Sequence, residues 1–118
     1  MMKEFVFDPA DRQLTVKAYG REFRITANSA KNQGYIRSCT EVLNNHDASP
    51  AEKAAGVAEA VDGILGDGVS AEFFGNIEVC SYDELMAFYN FLVNTMVDHS
   101  IEVQKKYAPE RISEKGKN

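Results

Sequence analysis

The sequence predicts an α+β fold in which an N-terminal antiparallel three-stranded β meander precedes three to four α-helices, the last of them long. Apolar and polar residues alternate over residues 4–26, which is typical of strands with one buried and one solvated face. Farther along the chain, apolar residues recur every three or four positions, which is typical of amphipathic helices. A chain of 118 residues makes one ordinary domain. We therefore expect a single domain over 1–107 and a flexible polar tail over 108–118.

The predicted meander has turn-forming residues between its apolar runs. The segment 8–11, Asp-Pro-Ala-Asp, favours a turn because proline presets its own φ angle. Gly20 and Arg21 form the second predicted turn. A sheet of this size cannot bury its own apolar face, so we expect the helices to cover it. The side chains expected on that face are Phe5 and Phe7, then Leu14, Val16 and Ala18, then Phe23 and Ile25.

Two helices are predicted directly after the meander. The first covers about 28–45 and contains Gly34, which disfavours a helix by about 1 kcal/mol relative to alanine. The second begins at Ser49, which is followed by proline and, three residues on, by glutamate, so that a capping box with the favoured first-turn proline is expected. The segment Gly66-Asp67-Gly68 ends this helix, with glycine available for the left-handed conformation that ends many helices.

Two further helical segments complete the predicted order. A short piece carries Phe73 and Phe74, and a second capping box, formed by Ser81 and Glu84, begins the last helix. This helix runs to about Tyr107. About 26 residues at a rise of 1.5 Å give a length of roughly 39 Å, which is more than a core of this size needs.

The charge and the cysteines restrict the classes of partner. The formal net charge is -5, which disfavours non-specific binding to nucleic acid or to an anionic membrane surface. No apolar run is long enough to span a bilayer or to form the core of a signal peptide. Cys39 and Cys80 belong to no C-x-x-C pair, so no zinc or redox motif is present. We expect a cytoplasmic protein with two free cysteines and with neither nucleic acid nor membrane as a partner.

The residue types of a catalytic site do not form a recognisable pattern. His46 lies in a predicted turn beside Asp47, and adjacent side chains rarely point the same way. His99 lies near the apolar stripe of the last helix, where histidine is usually a residue of the core edge. Gly66-x-Gly68 lacks the lysine and the serine or threonine of a P-loop. We predict no catalytic, metal or cofactor site and no cofactor, and we keep a small enzyme that uses either histidine as the third hypothesis.

The last helix is unusual for the width of its apolar surface. A helix that is apolar almost all round must be covered on more than one side. Either the short piece with Phe73 and Phe74 covers it, or part of it stays exposed as a surface that binds another protein. We leave open whether the candidate partner-binding residues belong to the core or to such a surface. They are Leu85, Phe88, Phe91, Leu92 and Met96.

One segment resembles a known family signature. Residues 60–75, A-V-D-G-I-L-G-D-G-V-S-A-E-F-F-G, resemble the D-x-I/L-L-G-x-G…x-x-F-G pattern of small tail-assembly-chaperone-like proteins of phages and prophages of Gram-positive bacteria. The order of a β segment, a helix, this signature and a long final helix is also similar, over roughly 13–107. The matching residues are of structural types, so the resemblance supports a shared fold better than a shared activity. They are Leu65, Gly66, Gly68, Phe73, Phe74 and Gly75.

The resemblance implies a function in tail assembly. Proteins of this family are not enzymes and need no cofactor; they hold the long, helix-rich tape-measure protein soluble and recruit tail-tube subunits. The resemblance thus implies a phage or prophage tail assembly chaperone in the cytoplasm of the bacterial host cell that binds a tape-measure or tail-tube protein. It leaves open whether the chain also forms a homo-oligomer. The alternative is a structural phage component, a connector or tail-completion protein, that is retained in the virion.

Overall fold

The computed structural model describes residues 8–107, which form an α+β fold with a long C-terminal helix. The predicted fold class is confirmed. In chain order the elements are a 3-10 turn (Pro9–Arg12), β1 (Gln13–Ala18), β2 (Arg21–Thr26), α1 (Ala30–Leu43), α2 (Pro50–Leu65), α3 (Val69–Phe74) and α4 (Tyr82–Lys106).

The sheet differs from the predicted three-stranded meander. Within 8–107 it has two antiparallel strands, β1 and β2. The predicted first strand, with Phe5 and Phe7, lies outside the described residues, as does the predicted tail over 108–118. The predicted turn at 8–11 is a 3-10 turn, because the Asp8 carboxylate accepts a hydrogen bond from the backbone N–H of Ala10 and so caps its start.

The hairpin turn is formed by Tyr19 and Gly20, one residue earlier than predicted, and Ala18 pairs with Arg21 across it. Both turn residues have positive φ, 51° and 75°, which matches a type I′ turn and the right-handed twist of the strands. Tyrosine is unfavourable in this conformation, and its side chain supplies compensating contacts. Its ring packs against Phe73 with centroids 4.5 Å apart, and its hydroxyl donates a hydrogen bond of 2.6 Å to the Glu84 carboxylate. This hydrogen bond raises the pKa of Tyr19 to about 12.

The Tyr19 hydrogen bond also explains why the predicted capping box of α4 is half formed. The Ser81 hydroxyl accepts a hydrogen bond from the backbone N–H of Glu84, as predicted. The Glu84 carboxylate accepts from Tyr19 instead of from the backbone of Ser81. In α2 no such competitor is present, and the box between Ser49 and Glu52 is complete, which confirms that predicted helix start.

The core lies between the inner face of the hairpin and the helices. α2 is central, since it packs against α1, α3, α4 and β2. α4 runs antiparallel to β1, because its first turn meets Tyr19 and its last turn meets Asp11. The buried side chains of the hairpin are Leu14, Val16, Phe23 and Ile25. Those of α2, mostly small, are Ala54, Val57, Ala58, Ala60, Val61 and Ile64.

The signature segment 60–75 has a structural explanation. Asp62 accepts a hydrogen bond of 2.8 Å from the backbone N–H of Ser70 and so holds the first turn of α3 against the end of α2. Gly66 and Gly68 have φ angles of 136° and 83°, which side-chain-bearing residues rarely adopt. Gly63 lies directly under the ring of Tyr35 on α1, and a Cβ atom there would overlap the ring.

The two ends of the described chain meet at Asp11. Its carboxylate accepts hydrogen bonds from Lys106 at 2.9 Å and from the Tyr107 hydroxyl at 2.5 Å. A ring nitrogen of His99 lies 2.8 Å from the backbone oxygen of Asp11. The hydrogen bonds from Tyr107 and then Lys106 hold the pKa of the Asp11 carboxyl below its ordinary value. This contact fixes the end of α4 to the start of β1.

Replacing Gly63 with alanine is expected to lower the free energy of unfolding by about 2 kcal/mol, because the new methyl group overpacks the contact with Tyr35. Gly34 is the matched control. It also lies in a helix, and a Cβ atom there meets nothing within 4 Å. Gly34→Ala is expected to raise the free energy by about 0.5–1 kcal/mol. Urea unfolding measures both, and equal effects of the two variants would contradict the close helix contact.

Replacing Asp11 with asparagine is expected to destabilise the protein near neutral pH and to have little effect in strong acid. The native pKa of Asp11 lies below its ordinary 3.8. The carboxylate therefore stabilises the fold above about pH 4, and this contribution is lost as the pH falls through the native pKa. Urea unfolding of both proteins at about pH 7 and about pH 2 measures the difference. A difference that stays constant between these conditions would contradict the proposed ion pair.

Candidate functional site

The five predicted partner-binding residues of α4 separate into two groups. Leu85 and Leu92 are fully buried, and Phe88 and Met96 are nearly so. Phe91 is 46% exposed. The four buried residues point to one side of the helix, toward α2 and the hairpin, and form part of the core. The structure thus places these four in the interior, while partner binding by Phe91 stays a prediction.

An aromatic cluster covers the flank of α4 that carries Phe91. Phe73 and Phe74 of α3 pack edge-to-face on Phe88, with ring centroids 5.7 Å away in both cases. Phe91 extends this cluster to the surface, 6.1 Å from Phe88. The short α3 piece therefore covers Phe88 on this flank but leaves Phe91 about half exposed, so each of the two alternatives describes part of α4.

The opposite flank of α4 is separated from α1 by an apolar groove of about 400 Å³. The groove exists because α1 packs chiefly on α2, whereas α4 packs on α2 and β1. Val97 lines it and is 47% exposed, and Ile101 lies one turn farther along α4, 45% exposed. We call this feature the α1–α4 groove; its lining residues are Ala27, Asn28, Gln33, Ile36, Arg37, Val93, Met96, Val97 and Ser100.

Polar contacts close one end of the α1–α4 groove. The Asn28 side chain donates a hydrogen bond of 3.3 Å to the Ser100 hydroxyl and accepts one from Gln33. Arg37 is the one charged residue among those that line the groove. In the part of the chain that the structure describes, no ion pair or side-chain hydrogen bond engages it. The groove therefore presents apolar walls and one unpaired cation.

Sequence reasoning missed Val97, Ile101 and Arg37 as site residues. It selected the most apolar stretch of the last helix, and that stretch forms part of the core except for Phe91. A signal for the groove was present, because Val93, Val97 and Ile101 follow one another at i, i+4 spacing. The groove itself depends on the packing of α1 and α4, two helices that are distant in sequence and that pack on different neighbours.

The two histidines lie in different parts of the fold. His46 is exposed in the connection between α1 and α2, and the ring of His99 contacts the backbone of Asp11. Among residues 8–107 no group of three histidine, cysteine or acidic residues is arranged to hold a metal ion. Both cysteines are free; Cys39 is buried and Cys80 is half-buried.

The surroundings of the buried pair Cys39 and Tyr89 raise the pKa values of both groups. Burial raises the pKa of the Cys39 thiol, and burial, followed by the interaction with Cys39, raises the pKa of the Tyr89 hydroxyl. Within the described range the Tyr89 hydroxyl is a buried group without a well-formed hydrogen bond. This pair lies in the interior between α1 and α4, away from the surface that faces solvent in the groove.

No helix among residues 8–107 combines the length and the apolar character needed to cross a membrane. In comparisons with known proteins, no family model, no curated protein and no solved structure matches this chain. The resemblance of residues 60–75 to tail-assembly-chaperone-like proteins therefore stays an expectation from the motif.

Alanine substitution at adjacent positions of α4 is expected to separate core from surface. Leu92→Ala should lower the free energy of unfolding by about 3 kcal/mol, because it leaves a cavity in a fully buried site. Phe91→Ala should lower it by less than about 1 kcal/mol, because half of that ring is already in water. Urea or thermal unfolding measures both values. A larger loss for Phe91→Ala than for Leu92→Ala would contradict the orientation of α4.

Proposed function

We propose that this protein is an assembly factor that binds another protein through the α1–α4 groove, acting as a tail assembly chaperone of a phage or prophage. Its partner is a helix-rich tape-measure-type protein, with tail-tube subunits as a further partner. The groove supports protein binding, and the signature over residues 60–75 supports the setting in tail assembly.

One observation carries this proposal. Val97 lines an apolar groove and remains about half exposed after α1, α2 and the hairpin have packed, and Ile101, exposed to a similar extent, lies one turn farther along α4. Single exposed apolar side chains are common on protein surfaces, whereas a continuous apolar groove marks a place where a partner binds. Grooves between helices commonly take the apolar face of a partner helix.

The charge of the protein suits such a role. A net charge of -5 keeps a protein with an exposed apolar groove soluble before its partner arrives. The groove lies apart from the acidic residues of α4, since Asp98 and Glu102 fall on other faces of that helix. Binding a partner therefore requires no desolvation of carboxylates in the groove.

Co-expression with the tape-measure-type protein, followed by affinity capture, tests the proposed function. Val97→Asp is expected to reduce capture at least about tenfold, because it introduces a charge into the contact. Phe91→Asp is the matched control, since Phe91 is equally exposed on the opposite flank of the same helix. Both variants should keep the circular dichroism spectrum of the wild type.

Three outcomes of this experiment, and one of an analysis of purified virions, decide between the alternatives. Loss of capture for Val97→Asp alone supports the proposal. Loss for Phe91→Asp alone places partner binding on the aromatic flank and contradicts the groove. Absence of capture by the wild type, or stable incorporation of the protein into purified virions, contradicts the chaperone function and favours the structural phage component.

A further inference from the structure

We infer that the α1–α4 groove takes an acidic amphipathic helix of a different protein, with a carboxylate of that helix paired to Arg37. The inference rests on the proposed function only in requiring that the groove binds protein. It adds that the bound segment is a helix, that this helix is acidic, and that it belongs to a different protein.

The walls of the groove favour a helix over an extended strand. Both walls are helices, whose backbone N–H and C=O groups in the middle of the groove are satisfied internally. A bound strand would find no backbone partners there, whereas a bound helix brings its own hydrogen bonds and needs apolar contacts alone. The apolar contacts are supplied by Ile36, Val93 and Val97.

The dimensions of the groove fit a short helix. Val93 and Ser100 line its α4 wall and are about 11 Å apart along the helix axis, or about two turns. Ile101 and Gln104 continue this flank of α4 for about one further turn. A partner helix with apolar side chains at i, i+3 or i+4, and i+7 therefore matches the apolar length of the wall.

The charges around the groove favour an acidic partner. Arg37 carries the one charge among the lining residues and has no ion-pair partner within 8–107. Glu41 lies one turn farther along α1 and forms no salt bridge with it. The flank of α4 opposite, from Met86 to Gln104, presents no charged side chain toward the groove. A guanidinium in such a position pairs well with a carboxylate, which it binds through two parallel hydrogen bonds.

The same charges disfavour a second copy of this chain as the occupant. A two-fold symmetric dimer through the groove would bring two copies of Arg37 into one interface. The lining residues include no carboxylate that could neutralise this pair. A helix of another protein that carries aspartate or glutamate beside its apolar face avoids the repulsion.

Two synthetic helices test the inference on the full-length protein. Each is about 18 residues long and carries leucine at i, i+3 or i+4, and i+7. They differ at the flanking positions, which hold glutamate in one peptide and lysine in the other. Wild-type protein is expected to bind the glutamate peptide at least about threefold more tightly, as measured by fluorescence anisotropy at low salt.

Reversing the charge at position 37 tests whether this side chain determines the preference between the peptides. Arg37→Glu should reverse the preference between the two peptides, and Val97→Asp should weaken binding of both. Arg24→Glu is the matched control, since Arg24 is exposed on the hairpin and does not line the groove. It should leave the preference for the glutamate peptide in place.

Several results would overturn the inference. These are equal affinity of the wild type for both peptides, no binding of either peptide, and a preference that Arg37→Glu leaves unchanged. A concentration-dependent dimer in sedimentation that Val97→Asp abolishes would also overturn it, by assigning the groove to a second copy. Capture of the tape-measure-type protein with no peptide preference would leave the proposed function standing while the inference fails.

Discussion

The fold depends on the burial of one strip of α4 against α2 and the hairpin. Leu85 and Leu92 are fully buried in this contact, and each such side chain contributes about 2 kcal/mol by its removal from water. A two-stranded hairpin by itself is marginally stable, so β1 and β2 need the cover that α4 supplies. α2 permits the close packing because its buried face is largely alanine and valine.

The position of the α1–α4 groove follows from the way α4 is held. Tyr19 contacts its first turn through Glu84, and Asp11 contacts its last turn through Lys106. These two contacts align α4 with β1, while the contact between Tyr35 and Gly63 draws α1 toward α2. α1 and α4 therefore pack on different neighbours, and the groove between them is present before any partner binds. A preformed surface of this kind lowers the entropy cost of association.

Local chemistry allowed much of the fold to be predicted from the sequence. The capping box at Ser49, the two strands and the order of helices follow from residues close together in the chain. The errors arose where a distant residue intervenes. Tyr19 accepts a positive φ because of contacts with α3 and α4, which moves the turn by one residue. The same tyrosine engages Glu84 and so leaves the second capping box incomplete.

The candidate site could be predicted only in part. Periodicity identified α4 as the element with excess apolar surface, but it could not assign each flank to a neighbour. Phe88 and Phe91 are the same residue type on the same helix, and the packing of α2, α3 and the hairpin around α4 makes Phe88 a core residue while Phe91 stays about half exposed. The groove depends on how α1 and α4 are placed relative to each other, and Arg37 becomes informative only once its place in that groove is known.

The central claim is that α4 uses one strip for its own core and the flank beside α1 for another protein. Methyl NMR spectra of the full chain, with and without the tape-measure-type protein, test it most directly. The account predicts that the signals of Val93, Val97 and Ile101 shift on binding while those of Leu85 and Leu92 stay in place. Shifts that spread through the buried strip, or that avoid Val97 and Ile101 altogether, would contradict it.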